Sequence, residues 1–287
     1  MKQVADTFCP VCEMKNVKKW NGGGVNLFCC NSCGLQWIDQ SKLEQHQIDY
    51  VHGLETITPL RQKNNEKILQ RLSAILPEGA EGLEVGSAIG LFLEQAEAWG
   101  FHMTGIEPME KSWQIAVKKK LNAVHGFFPQ DLPVSDPYDF IIFNDVFEHL
   151  LSPREILQEC RKRLKGNGCL IINLPDSAGI LYRCAAVLHR FGDNDTLKRL
   201  WQVETESPHL YYFNQKSLTK LAAKEGFTLA EPPIRMLSFL PEGIQKRVTA
   251  MPIHPVKAKL LSAGLFVGYP ILKHFPSDTR CYIFKKE

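Results

Sequence analysis

The chain has no run of about 20 apolar residues, the length needed to cross a bilayer. Its nearest approach, Leu260–Leu272, is thirteen residues between Lys259 and Lys273, interrupted by glycines and Pro270. Met1–Pro10 lacks the long apolar segment of a secretory signal. The expectation is a cytoplasmic chain with reduced thiols. Also missing are the G-x-G-x-x-G dinucleotide fingerprint and the Lys-Ser/Thr of a triphosphate-binding Walker loop. A net charge of +3 is too slight to mark a nucleic-acid binder by itself. With 44% hydrophobic and 23% charged residues, the composition excludes a disordered, collagenous or disulfide-scaffold chain. A length of 287 residues suits one large domain and one small one.

What is present is unevenly placed. Residues 231–287 carry nine Lys/Arg against four acids, and five of the nine cysteines fall within residues 9–33. Cys9-Pro-Val-Cys12 and Cys30-Asn-Ser-Cys33-Gly34 are two C-x-x-C pairs. Each pair can sit on a tight turn that aims two thiolates at one point, so together they supply four soft ligands for a tetrahedral Zn²⁺. Cys29 could replace Cys30, but the C-x-x-C-G pattern favours Cys30. A closed four-cysteine site has no open coordination position, so this metal is expected to be structural. Phe28 and Trp37 offer a minimal core, and metal binding would supply much of the folding energy of so small a piece. Paired redox dithiols or scattered buried cysteines are the other readings.

These features divide the chain into a zinc ribbon over 1–40, a helical linker over 41–78 and a large domain over 79–287. Within the linker Ile57, Leu60, Ile68, Leu69, Leu72, Ile75 and Leu76 recur at helical spacing, with Pro77 and Gly79 as the stop. Asp49, Tyr50 and His52 precede them in a solvated or packing stretch. The large domain alternates strands and helices. Strands are expected at Leu83–Gly86, Phe101–Ile106, Asn122–His125, Tyr138–Phe143 and Cys169–Asn173. Helices are expected at Gly90–Trp99, Met109–Lys119 and Ser152–Leu164, the last with Ser152 as N-cap and Lys165–Gly168 as its end. Such alternation means a mainly parallel sheet covered on both faces, with ligands bound beyond the carboxyl ends of its strands. In the loop Glu84-Val85-Gly86-Ser87-Ala88-Ile89-Gly90 the glycines let backbone approach a ligand, and the next helix offers free N–H groups. Glu107, 23 positions after Glu84, can accept both hydroxyls of an adenosine ribose.

The segments LEVGSAIG (83–90), GIEP (105–108), YDFIIFNDVFEHL (138–150), LKGNGCLIIN (164–173) and HLYYF (209–213) together resemble class I S-adenosylmethionine-dependent methyltransferases. The likeness covers about residues 80–230 and a last strand at Thr279–Lys285. An N-terminal two-knuckle ribbon also occurs in several branches of that family, among them sugar C-methyltransferases and some ribosomal RNA methyltransferases. The likeness implies an α/β fold: a Rossmann-like, doubly wound, seven-stranded sheet with an antiparallel last strand, plus the small ribbon. It further implies that Gly86, Ser87, Ala88 and Gly90 line the methionine part of S-adenosylmethionine, with Glu84 at the base of the loop. Glu107 and Pro108 would hold the ribose, and Gly126, Phe127 and Phe128 would flank adenine. Asn144 would turn its carbonyl toward the cofactor's amino group, with Asp145 beside it. Ala88 stands where relatives have a middle glycine, and Phe127 where many have an acid.

The reaction needs a general base only if the acceptor must lose a proton. His149 and His209 are the candidates, because histidine titrates near neutral pH; His149 as a loop residue bonded to backbone is the plainer reading. Asp145-x-x-Glu148-His149 is similar to the E-x-x-E-H metal motif of ubiquinone-pathway O-methyltransferases and small-RNA 3′-terminal methyltransferases. That likeness raises Mg²⁺ at Asp145, Glu148 and His149. The lid segment 176–207 mixes Tyr182, Arg183, His189, Arg190, Phe191, Arg199 and Trp201, which suits an anionic or sugar-like acceptor and equally a packed lid with solvated charges. The insertion 232–276, with Lys246, Arg247, Lys257, Lys259 and Lys273, is either an interfacial helix on anionic lipid or a buried helix with basic ends. A small-molecule acceptor, sugar or lipid-linked, is the leading expectation. An RNA acceptor gripped by the ribbon is the second. Residues 1–40 hold four Lys/Arg and three acids, too balanced for a phosphate clamp. A non-catalytic module that keeps the cofactor pocket is the third.

Overall fold

The computed structural model describes residues 7–21, 26–39, 54–134, 136–193, 195–203, 205, 207–238, 240, 256, 259, 262–264, 266–268 and 277–287. In chain order the elements begin with β1 (Val17–Asn21), β2 (Asn26–Cys30), β3 (Gln36–Ile38) and α1 (Leu54–Ser73). There follow β4 (Glu81–Val85), α2 (Leu91–Ala98), β5 (His102–Glu107), α3 (Glu110–Lys118), β6 (Ala123–His125) and β7 (Tyr138–Asn144). After a 3-10 turn at Phe147–His149 come α4 (Pro153–Arg163), β8 (Leu164–Pro175), α5 (Ile180–Arg190), α6 (Asp195–Leu200) and β9 (Tyr211–Tyr212). The chain closes with α7 (Gln215–Lys224), β10 (Phe227–Leu229), β11 (Ile234–Arg235) and β12 (Thr279–Lys286).

The large sheet runs β10-β12-β8-β7-β4-β5-β6, with β11 also paired to β12. Neighbours from β8 through β6 are parallel, while β12 is antiparallel to β8 and to β10. Parallel strands buried on both faces read as continuous apolar runs, and β7 is such a run: Phe140, Ile141, Ile142 and Phe143 are all fully buried. Alternation then divides them. Ile141 and Phe143 join one core cluster with Leu170, Ile172, Tyr282 and Phe284, whereas Phe140 and Ile142 join the other with Cys169, Ile171, Cys281 and Ile283. Helices α1 and α2 cover the second face through Ile68, Leu69, Leu72, Phe92 and Leu93. Strand order reverses between β4 and β7, so the crevice for a ligand opens beyond Val85 and Asn144.

Helix α4 ends at Arg163, before the Gly-rich Lys165–Gly168 stretch, which lies within β8 between the pairs Tyr138/Leu164 and Phe140/Cys169. Two local expectations are corrected. Ser152 stands at the start of α4 but its side chain makes no cap bond; its carbonyl accepts from Ile156 N–H instead. The linker helix ends at Ser73, before Pro77. Asp49, Tyr50 and His52 lie outside the described residues, as do Lys246, Arg247, Lys257 and Lys273 of the insertion. Among the described residues, no helix is long and apolar enough to cross a membrane.

Candidate functional site

The two knuckles meet. Sγ of Cys9 lies 3.5 Å from that of Cys33, and Sγ of Cys12 lies 3.4 Å from that of Cys30. All four sulfurs are within 4.8 Å of one another and all four residues are buried. Tetrahedral zinc with bonds of about 2.3 Å sets its sulfurs about 3.8 Å apart, so the cluster fits that ion. Hydrogen bonding to Cys33 pulls the Cys9 thiol down to about 5, the direction a metal ligand needs. Cys29 is outside the cluster, and Cys30 is its fourth thiol.

The ribbon is built into the large domain. Its sheet, β1-β2-β3-β9, takes a fourth strand from beyond α6, with Gln36 opposite Tyr212 and Trp37 opposite Tyr211. Phe28 stacks on Trp37 at 5.5 Å, and Tyr182 Oη on α5 donates to Gln36 Oε1 at 2.7 Å. Asn214 Nδ2 donates to the carbonyl of Gly34, and Glu13 pairs with Arg154 and Lys224. The core cluster that holds the four cysteines is the one that holds Phe143, Phe147 and Phe213.

At the crevice, Gly86 and Gly90 have φ of +72° and +77°, the left-handed region that glycine adopts without cost. A Cβ on Gly86 would stand 2.6 Å from Val146, and one on Gly90 would stand 2.3 Å from Leu121. Ala88 is also left-handed, and its N–H donates to Glu107 Oε2 at 2.7 Å; Oε1 accepts from Met109 N–H. Burial raises the Glu107 carboxyl and those two N–H groups oppose it. Glu84 is fully buried, raised by desolvation and then by Glu107, and its Oε2 has no hydrogen-bond partner. Ser87 is buried with an unpartnered hydroxyl. On the β6 side Gly126 N–H donates to the Glu107 carbonyl and Pro108 O contacts His125. The Phe127 ring is half exposed, while Phe128 meets Phe143 edge-on at 6.2 Å.

Beyond β7 the chain turns sharply at Asp145 (φ +58°), bringing Glu148, His149 and His209 together. Nε2 of each histidine is 3.9 Å from Glu148 Oε1, and the two rings are 4.9 Å apart. Nδ1 of His149 donates to the Pro208 carbonyl at 2.9 Å, which leaves Nε2 as its basic nitrogen. Burial pushes Glu148 up and both imidazoles down, His209 to about 3, so all three are favoured in uncharged form. Aromatic contacts continue from His209 to Tyr212 and on to Tyr182 and Trp201. The triplet sketched as Asp145, Glu148 and His149 is therefore not the one assembled. Asp145 turns instead toward Arg61, 3.8 Å away, and His209 takes its place.

Helix α1 contributes residues that sequence reasoning left in a linker. Asn144 Nδ2 donates to Asn65 Oδ1, Asn173 Nδ2 donates to Asn144 Oδ1, and Asn65 Nδ2 donates to Gln95. Asn65 shares the buried helical stripe of Ile68, Leu69 and Leu72; a polar residue on such a stripe was the available signal.

The profile of the methyltransferase domain family matches residues 59–231, more than half of the chain. This chain belongs to that family. It is 28% identical over 114 residues to an uncharacterized protein of Methanocaldococcus jannaschii, covering 39% of this chain and 53% of that one. It is 27% identical over 101 residues to the ubiquinone biosynthesis O-methyltransferase of Maricaulis maris, covering 33% of this chain and 40% of that one. The chain thus spans about half the length of the curated relatives it matches. The fold is that of the cyclopropane synthase of Mycobacterium tuberculosis, with TM-score 0.56, 18% identity and coverage of 87% and 92% of the two chains. S-adenosylmethionine is the cofactor of this fold. The left-handed Gly86–Gly90 loop and the orphaned Glu84 oxygen fit such a ligand.

Proposed function

We propose that this chain transfers a methyl group from S-adenosylmethionine to a small-molecule acceptor, of the sugar or lipid-linked class, in a cytoplasmic setting. The observation that carries this reading is the close packing of the cofactor loop on the chain that leads into the titratable cluster. Gly86 abuts Val146, and the turn after Val146 carries Glu148 and His149 into the buried cluster with His209. When bound, the cofactor supplies an electrophilic methyl on a sulfonium. Gly86, Ser87, Ala88 and Gly90 line its methionine part, Glu84 supports the loop, and Glu107 with Pro108 holds the ribose. Phe127 and Phe128 flank adenine, while Asn144 and Asp145 close the amino-acid end.

His149 accepts the acceptor's proton at Nε2, its tautomer held by Pro208. His209 and the neutral Glu148 position that ring and exclude water, in a site where alignment of acceptor and methyl supplies most of the acceleration. Within the methyltransferase domain, 79–287, segment 176–207 serves as the lid, and 1–40 is the zinc ribbon that backs its aromatic wall.

Calorimetric titration with S-adenosylmethionine tests the cofactor half; no measurable affinity overturns it. Tritiated-methyl labelling of a cell extract, fractionated into lipid, RNA, protein and small molecules, tests the acceptor. Label that disappears with ribonuclease would replace this reading by RNA methylation. The three donors within 4.8 Å also suit a divalent cation, so activity lost on chelation and restored by Mg²⁺ would assign them to a metal.

A further inference from the structure

Helix α5 is buried along one side only. Tyr182 and Ala185 face the core, while Leu181, Cys184, Val187 and Leu188 are exposed and Phe191, just past the helix end, is 85% exposed. At 3.6 residues per turn these five positions fall within an arc of about 120°. Arg183 and Arg190 lie along one edge of that arc and pair with no acid among the described residues. Scattered apolar residues on a surface need no explanation, but a continuous stripe of them does.

We propose that this stripe is a docking surface for an anionic lipid bilayer. Charge selects the occupant. Ile180–Arg190 contains two arginines, one histidine and no acid. Of the two acids that follow, Asp193 is engaged locally, accepting from Asp195 N–H and from Thr196 at the start of α6, which leaves Asp195 against the two arginines. Asp278, at the start of α5, accepts from Leu181 N–H and Ser238. Residues 241–276 of this chain carry five Lys/Arg against one acid, so their composition offers the arginines no complementary charge. A second copy would present the same positive charge. A surface of anionic headgroups satisfies both the arginines and the apolar stripe: Leu and Phe enter the acyl boundary while arginine stays at headgroup level. Helix α5 follows the carboxyl end of β8 after four residues, so the bilayer would meet the protein at the crevice end of the sheet. The inference does not rest on the proposed methyl transfer, because it concerns binding to lipid alone.

The test is co-sedimentation of the full chain with vesicles of phosphatidylcholine, with and without about one third phosphatidylglycerol. Binding to the anionic vesicles only, weakened by raised salt, is expected. Leu188→Glu with Phe191→Glu should lower that partitioning about tenfold while melting temperature stays unchanged. Arg183→Ala with Arg190→Ala should remove the preference for anionic lipid. Any of three results overturns the proposal. These are no vesicle binding by the unaltered chain, equal binding by the Leu188/Phe191 variant, or loss of binding only with Lys246→Glu and Arg247→Glu. A wild-type dimer that the Leu188/Phe191 variant dissociates, without vesicle binding, would also overturn it and assign the face to self-association.

Discussion

Asn214 Nδ2 donates to the carbonyl of Gly34 at 2.9 Å, while its Oδ1 accepts from Ser217 N–H and so caps α7. One side chain thus ties the second zinc knuckle to a helix of the large domain. Asn214→Ala removes both bonds. Loss of a good N-cap costs about 1 kcal/mol, and the lost tie adds to it, so the melting temperature should fall by several degrees. Hydrogen exchange over residues 26–38 should rise in the same variant. If only α7 exchanges faster, the tie to the knuckle carries no energy.

The four-cysteine cluster predicts one zinc per chain. Cys33→Ser should abolish stoichiometric zinc in elemental analysis and lower thermal stability, because a structural metal contributes folding energy. Cys29→Ser should retain the metal in full, since that thiol lies outside the cluster.

Gly86→Ala tests the cofactor loop. The added carbon would meet Val146 at 2.6 Å with φ at +72°. A left-handed alanine costs about 1–2 kcal/mol, so affinity for S-adenosylmethionine in calorimetry should fall about tenfold. Unchanged affinity would remove the loop from the binding site.

Acid should destabilise the protein through His209. Its folded value of about 3 lies below the ordinary imidazole value of 6.5, because burial and then His149 oppose its charge, so as pH falls the unfolded chain takes up a proton first. The stability it contributes is complete above 6.5 and is lost progressively as pH drops toward 3. By linkage the loss at pH 5 is about 2 kcal/mol, and His149, lowered for the same reason, acts in the same direction. Glu148 has the opposite sign: its raised carboxyl favours the folded state below the usual carboxylate value, and that help fades as pH rises. The buried carboxyls of Glu84 and Glu107 act in the same direction as Glu148, so the His209 effect is read as a difference. The melting temperature of His209→Phe relative to the unaltered chain should rise steadily from pH 7.5 to 5. A slope the same in both proteins would refute the assignment.

Much of this was legible in the sequence, for physical reasons. Tyr138–Asn144 reads as a strand because it is apolar without a break, and it is buried on both faces. The knuckle cysteines announce themselves because ligand spacing is local. What escaped is non-local. Nothing near Gln36 says that it will pair with Tyr212, and nothing in Asp145-x-x-Glu148-His149 reveals that His209 arrives from sixty residues away to displace Asp145. Asn65 was overlooked because its partners Asn144 and Gln95 lie on other elements. Lys165–Gly168 ends α4 as its glycine-rich composition suggests, but composition does not reveal that the stretch is an irregularity inside β8, between the pairs at Leu164 and Cys169.

The shared β3–β9 edge has a consequence for the order in which the molecule matures. Gln36 and Tyr212 are 176 residues apart, so a chain emerging from its N-terminus exposes both knuckles long before their closing strand exists. During synthesis the β1–β2–β3 meander has an open edge at β3, the kind of surface that invites wrong pairings. Metal captured at that stage would hold a half-finished sheet in register until the last third of the polypeptide completes it.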